Sequence, residues 1–386
     1  MTVPFVDLAS QQAEVDAEVR RGLDEVFATT AFVGGPHVTE FERRYAAFCG
    51  VAHCVGVANG TDALELVLRA LDVPAGAEVV LPANSFIATA EAVARMGGSP
   101  VLVDVDDEHL LMDPDLVASA VTTRTAAVVP VHLFGQMAPV EQVLARRGTA
   151  GWALVEDAAQ SQGATRDGAT SGSVGLAAAT SFYPGKNLGA AGDAGAVTTG
   201  DAALARAVRT IAAHGSATKY VHERLGLNSR LDTVQAVVLL AKLKRLRVWN
   251  EARRAAARRY EVMLSDVDGI RLPTVMPGNE HVWHIYGVRV ARRDEVMRAV
   301  QEAGIGVGIH YPQPIHLTPA FDDLELGPGS FPVAERAATE LLSLPMFPHI
   351  TVAQQEAVVA ALRSAIDSVV PVHTRPVGAG AASSRA

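Results

Sequence analysis

Lysine is scarce in this chain. Of its 33 basic residues only Lys186, Lys219, Lys242 and Lys244 are lysines, which leaves 29 arginines (33 − 4). Chemistry that needs an amine nucleophile must therefore run through one of four positions. Cysteine is scarcer still: Cys49 and Cys54 stand alone, flanking GVAH. Two thiols cannot build a disulfide framework and are too few for a thiolate metal cage, so they read as small buried apolar residues. No apolar run approaches the roughly 18 residues of a membrane-crossing helix. The opening MTVPFVDLAS lacks a basic region and carries Pro4 and Asp7 early, so no secretory signal is read and a cytoplasmic location is expected. The net charge of −9 argues against a nucleic-acid partner, because phosphate binding needs a concentrated basic surface.

What is present is globular: 49% hydrophobic and 19% charged residues over 386 positions, enough for two domains. Residues 11–27 repeat apolar positions at helical spacing and predict an amphipathic helix. Between about residues 50 and 200, short apolar runs alternate with helical stretches. CVGVA (54–58), VVLP (79–82), PVLVDVD (100–106), AAVVPVHL (126–133), WALVED (152–157) and GAVTTG (195–200) are the strand candidates. Their continuous apolar character suits a parallel sheet covered on both faces, with ligands at the carboxyl ends of the strands. From Leu227 to Asp268 there is neither Gly nor Pro, which predicts one long helix of the kind that bridges domains. GIRLP, HVWHIYGVRV and GIGVGIHYP then read as strands of a smaller αβ unit. The expected division is 1–245 for a large ligand-binding domain, 246–372 for a small one and 373–386 for a flexible tail.

The four lysines separate by context. Lys242 and Lys244 lie beside Arg245 and Arg247 and read as a solvated helix face, and Lys219 lies in a polar segment. Lys186 differs, sitting among glycines and small residues in TSFYPGKNLGAAGDAGAV. Alone that segment fits a loop lysine equally well. Two other stretches bear on it. The strand WALVED ends on Asp157, which fits either a helix cap or the anion that a pyridine nitrogen requires in pyridoxal phosphate (PLP) chemistry. The strand CVGVA runs into Asn59-Gly60-Thr61-Asp62 and a helix, which fits either an ordinary cap or a phosphate site at the helix N-terminus. Ser181, five residues before Lys186, could reach the same phosphate. There is no G-x-G-x-x-G, and Asn187 follows Gly185-Lys186 where a nucleotide-hydrolase loop needs Ser or Thr. His281 and His284 are spaced poorly for zinc, and no metal site is expected. His310 and His316 flank prolines, as loop or pocket histidines.

NGTDAL, NSFIATA (84–90), PVHLFGQ (130–136), EDAAQSQGA, SFYPGKNLGAAGDAGAV and NSRLDTVQA (228–236) stand in an order that resembles the DegT-type nucleotide-sugar aminotransferases, from about Val3 to Pro348. The resemblance implies an α/β fold-type I PLP-dependent transferase, with a large α/β/α domain on a mostly parallel sheet and a smaller C-terminal αβ domain. It implies Lys186 as the Schiff-base lysine and proton carrier, Asp157 at the pyridine nitrogen, Gln160 near the ring hydroxyl and Phe86 on the ring face. Gly60, Thr61 and Ser181 would hold the phosphate, and Asn228 would reach the phosphate of the neighbouring subunit in a homodimer. Tyr183, His310, Tyr311 and His316 would face the substrate.

Tyr183, where C4-aminating relatives often carry His, points to amination at C3. A dehydrating subgroup has His in place of the lysine, so Lys186 favours transamination. The implied reaction converts a nucleotide-linked, dTDP-type 3-keto-deoxyhexose to its amino sugar with L-glutamate as donor and 2-oxoglutarate as product. It would serve amino-sugar biosynthesis for a natural product, such as an antibiotic, or for a surface glycan. Amination at C4 or of a cyclitol ketone is the alternative within that class. A non-catalytic sugar-nucleotide-binding regulator is the alternative outside it, although no DNA-binding module is evident.

Overall fold

The computed structural model describes residues 1–369; the predicted tail falls outside them. A seven-stranded sheet organises the first half. Its strands are β1 (His53–Val57), β2 (Glu78–Pro82), β3 (Ser99–Val103), β4 (Thr125–Val128), β5 (Ala153–Asp157), β6 (Ala177–Ser181) and β7 (Gly195–Thr199). The order is β1-β7-β6-β5-β4-β2-β3, and only β7 runs against its neighbours. The carboxyl ends of the other six therefore share one edge.

Val55, Val57, Val79, Leu81, Val155 and Val197 are buried in the largest hydrophobic cluster together with Leu64, Leu66, Val67 and Leu68 of the helix Gly60–Ala70. Both sheet faces being covered explains why these strands are apolar without alternation. The strand β6 was missed because its sequence, AAATS, has little β-propensity. Its alanines (1% exposed) are small enough to admit that helix close against the sheet. The predicted strand 126–133 stops at Val128, since Pro130 has no N–H for the ladder. Pairing resumes only at the Val131–Asp157 bridge.

The predicted helix from Leu227 to Asp268 is two helices, Thr233–Leu243 and Leu246–Leu264. Residues 227–232 are held instead by bridges, Asn228 to Ala213 and Asp232 to Val33. At the break the Arg245 N–H donates to the carbonyl of Lys242, a tightened turn of i−3 type. The bend lets one run serve two cores. Val237, Val238 and Leu239 are buried before it, while Ala256, Ala257 and Tyr260 pack after it with Val288, Leu342 and Leu362.

That second core covers a three-stranded antiparallel sheet of Ile270–Arg271, Tyr286–Val290 and Leu341–Leu344. GIGVGIHYP forms no strand, contributing bridges from Ile305 to Val3 and from Gly308 to Ser343, and LLSL (341–344) takes the place expected of it. Cys49 and Cys54 are free and buried, as their number implied.

Candidate active site

Three strand ends meet at the carboxyl edge of the large sheet. Strand β1 leads into Asn59, which caps the helix Gly60–Ala70 by accepting from the Asp62 N–H at 2.8 Å. Strand β5 ends on Asp157 and β6 on Ser181. A Cβ on Gly60 would lie 2.6 Å from Cβ of Ser181, and one on Gly195 would lie 2.4 Å from the Asn59 carbonyl. Glycine is thus required at both, and the closeness forms a cradle of first-turn N–H groups and hydroxyls that a side chain would fill. First-turn N–H groups lack helical partners and favour an anion. The Ser229 hydroxyl accepts from the Ala58 N–H at 3.1 Å behind this turn, a support the sequence did not flag. Gly60→Val should displace Ser181 and raise the dissociation constant for PLP at least about tenfold, roughly 1.4 kcal/mol. Titration of the apoprotein followed by absorbance measures it, and a twofold change or less would remove the cradle from the account.

Lys186 lies in a tight loop, its N–H donating to the Tyr183 carbonyl at 2.8 Å. At Gly189 a Cβ would fall 2.2 Å from the Pro184 carbonyl oxygen, so the loop closes only around glycine. Lys242 braces it: its ammonium donates to the Gly189 carbonyl at 3.0 Å. That corrects the expectation of a solvated helix face, because Lys242 is buried (7% exposed). Lys244 pairs with Glu18 across the surface, and Lys219 lies over the Tyr220 ring. Only Lys186 approaches the strand-end carboxylate. Burial pushes its ammonium down to about 8, against the opposing pull of Asp157.

Asp157 is buried and accepts from the Thr89 hydroxyl at 2.8 Å and the Ala159 N–H at 3.2 Å. Burial raises its pKa, while Thr89, that N–H and Lys186 oppose the rise. Glu156 turns to the opposite face, as alternation along a strand requires. There it meets His132 at 2.8 Å and the N–H groups of Gly172, Val174 and Gly175. Thr89 was missed although it lies within the NSFIATA motif.

Gln160 accepts from the Phe134 N–H at 2.7 Å and donates to the Tyr311 hydroxyl at 2.9 Å. Phe86 is half exposed, its ring centre 5.3 Å from that of Tyr311. Burial and the nearby Asp157 carboxylate raise the Tyr311 phenol. His310 bonds to the Ser343 hydroxyl at 2.9 Å and stacks on Phe5; burial and Lys186 hold it down to about 4. Tyr183 stands exposed beside the loop and Asn228 is exposed. His316, expected to face substrate, does not. Its side chain has no exposed surface and is enclosed by Glu335 at 3.0 Å and the edge of Phe331. Among the described residues no cluster of His, Cys, Asp and Glu could hold a metal.

A half-buried lysine with a depressed pKa, a buried carboxylate and an anion cradle at a helix start are the groups a PLP-dependent transferase needs, and they stand on a fold-type I scaffold. The chain belongs to the DegT/DnrJ/EryC1/StrS aminotransferase family, which it matches over residues 13–363. It is 46% identical to the erythromycin biosynthesis sensory transduction protein EryC1 of Saccharopolyspora erythraea, covering 94% of this chain and all of that one. It is 43% identical to the dTDP-3-amino-3,4,6-trideoxy-alpha-D-glucose transaminase of Streptomyces venezuelae, over 94% and 95% of the two chains. The crystal structure of S. venezuelae DesV in complex with a ketimine intermediate superposes with a TM-score of 0.92 at 42% identity, covering 94% of this chain and 98% of that one. The protein is a sugar aminotransferase, and its cofactor is PLP.

Proposed function

We propose that this enzyme aminates C3 of a dTDP-linked 3-keto-deoxyhexose with L-glutamate as donor. We further propose that it acts as a cytoplasmic homodimer in amino-sugar biosynthesis for a natural product or surface glycan. The observation that carries the reading is the convergence of Lys186, Asp157 and the Gly60–Ser181 cradle on one sheet edge, together with likeness to a transaminase named for a 3-amino sugar. No helix of the described residues is long and apolar enough to cross a membrane. Residues 1–245 and 246–372 are the proposed domains.

In this reading the Gly60 and Thr61 N–H groups, with the Thr61 and Ser181 hydroxyls, bind the cofactor phosphate. Phe86 covers one ring face, Asp157 holds the ring nitrogen protonated, and Gln160 approaches the ring hydroxyl. When bound, PLP supplies an electron sink for the bond-breaking carbon. Lys186 carries the cofactor through Nζ and, when displaced by a donor amine, moves the α-proton as a general base and acid. A pKa near 8 leaves an appreciable neutral fraction for that work at neutral pH. Tyr183, His310 and Tyr311 face the keto-sugar, and Asn228 reaches toward the phosphate bound by the partner.

A half-reaction screen tests the substrate. Enzyme loaded with amine from glutamate should recover its aldehyde-form spectrum with 3-keto sugar nucleotides at least about tenfold faster than with 4-keto sugar nucleotides, a difference of roughly 1.4 kcal/mol in the barrier. Recovery with the 4-keto series alone overturns the C3 assignment.

A further inference from the structure

Asn187, next to the reactive lysine, is buried and has its side-chain amide fully committed. Its Nδ2 donates to Asn250 Oδ1 at 3.0 Å and to the Val282 carbonyl at 2.9 Å. Asn250 is fixed in turn, donating to the Gln162 carbonyl at 2.9 Å. With both N–H groups of Asn187 spent on acceptors, only Oδ1 remains for His284, whose Nδ1 lies 3.2 Å away. An amide oxygen accepts and never donates, so His284 must carry its hydrogen on Nδ1, which leaves Nε2 with a lone pair. Burial and the charges of Lys186, Arg253 and His310 hold the ring neutral.

The backbone beneath that ring is equally fixed. The Val282 N–H donates to the Gly135 carbonyl at 2.8 Å, and the Ile285 N–H to the Phe134 carbonyl at 3.1 Å. A Cβ on Gly135 would lie 2.8 Å from the His284 nitrogen, so the two segments are in direct contact. Phe134 is the residue whose N–H binds Gln160. One hydrogen-bonded chain thus runs from Gln160 through Phe134–Gly135 and 282–285 to His284, Asn187 and Lys186.

We propose that His284 is a positioning residue for the reaction, holding Lys186 in place by donating from Nδ1 to Asn187. This rests on the reading of Lys186 as the reacting amine, which borohydride trapping checks separately by showing where the cofactor becomes fixed. Fixed geometry matters because a small misplacement of a proton carrier can cost up to about 10²-fold in rate.

Asn and Gln divide the ring's two nitrogens between them. In His284→Asn the side-chain amide N–H takes the place of Nδ1–H, whereas in His284→Gln the amide lies at Nε2 and the donor to Asn187 is lost. His284→Leu removes both. Expected for His284→Leu is kcat lowered about 10- to 100-fold, KM for the donor within about threefold, and cofactor still trapped on Lys186. Its apoprotein should also capture PLP with a displaced pH midpoint, a readout that requires no turnover. His284→Asn should recover to within about threefold of wild type, while His284→Gln should stay at least about tenfold below it. If His284→Leu fails to fold, the Asn–Gln contrast decides. The proposal is overturned if His284→Leu keeps turnover and midpoint within about twofold and 0.2 pH units of wild type, or if Gln matches or exceeds Asn.

Discussion

Lys186→Ala should lower turnover by about 10⁴-fold, because the variant loses the proposed covalent anchor and proton carrier at one atom. No other lysine can stand in. Lys242 is committed to the Gly189 carbonyl, Lys244 to Glu18, and Lys219 lies on an exposed hairpin over Tyr220. Borohydride reduction followed by mass spectrometry should fix the cofactor to the wild-type chain at Lys186 and to no residue of the variant. A variant retaining a tenth of wild-type turnover would transfer the chemistry elsewhere.

The same atom sets a pH dependence. Capture of PLP by the apoprotein needs neutral Nζ, and burial places its pKa near 8 against an ordinary value of 10.5. The rate should therefore climb as pH rises through about 8 and level off above it. Asp157 opposes the depression, so Asp157→Asn should move that midpoint lower. A midpoint near 10 would mean that the amine is not desolvated in solution.

The proposed catalytic centre is legible in sequence because its parts sit where short-range rules apply. Lys186 stood out through the scarcity of lysine and the glycines around it. Asp157 terminates an apolar strand, and Gly60 opens a helix, both at a predictable edge of a parallel sheet. What escaped depends on contacts that no local rule encodes. His284 meets Asn187 across 97 positions. Lys242 looked solvated beside three other cations, but the loop folded over it supplies a carbonyl. The helix break at 244–245 has no Gly or Pro to mark it, since it answers to two separate cores, one around Ala236 and Leu239 and one around Ala256 and Tyr260. His316 failed for the converse reason. A histidine between prolines looks like a pocket residue, yet Glu335 and Phe331 enclose it completely.

Asp157→Asn isolates charge from shape, and it should cost turnover about 10²–10³-fold, the size seen when one electrostatic contact to a reacting centre is removed. The asparagine can accept from the Ala159 N–H through Oδ1 while its Nδ2 donates to the Thr89 hydroxyl, which turns its own hydrogen to the Ser85 hydroxyl, so the fold has no reason to fail. Stability should move the other way. Burial raises the folded-state pKa of Asp157 above its unfolded value, so the unfolded chain releases this proton first as pH rises. The carboxylate therefore costs the apoprotein stability at neutral pH, a cost absent below the unfolded pKa and fully present above the folded one. Removing the charge lifts it, and the melting temperature of the Asn apoprotein at pH 7 should equal or exceed that of wild type. Thr89→Val should act oppositely, leaving the carboxylate one donor short and lowering the melting temperature. Calorimetry of the apoproteins with single-turnover rates on glutamate separates the two effects. An Asn variant both slow and unstable would make Asp157 a structural cap. One that is stable and slow identifies a charge kept in the interior for chemistry, at the expense of the fold.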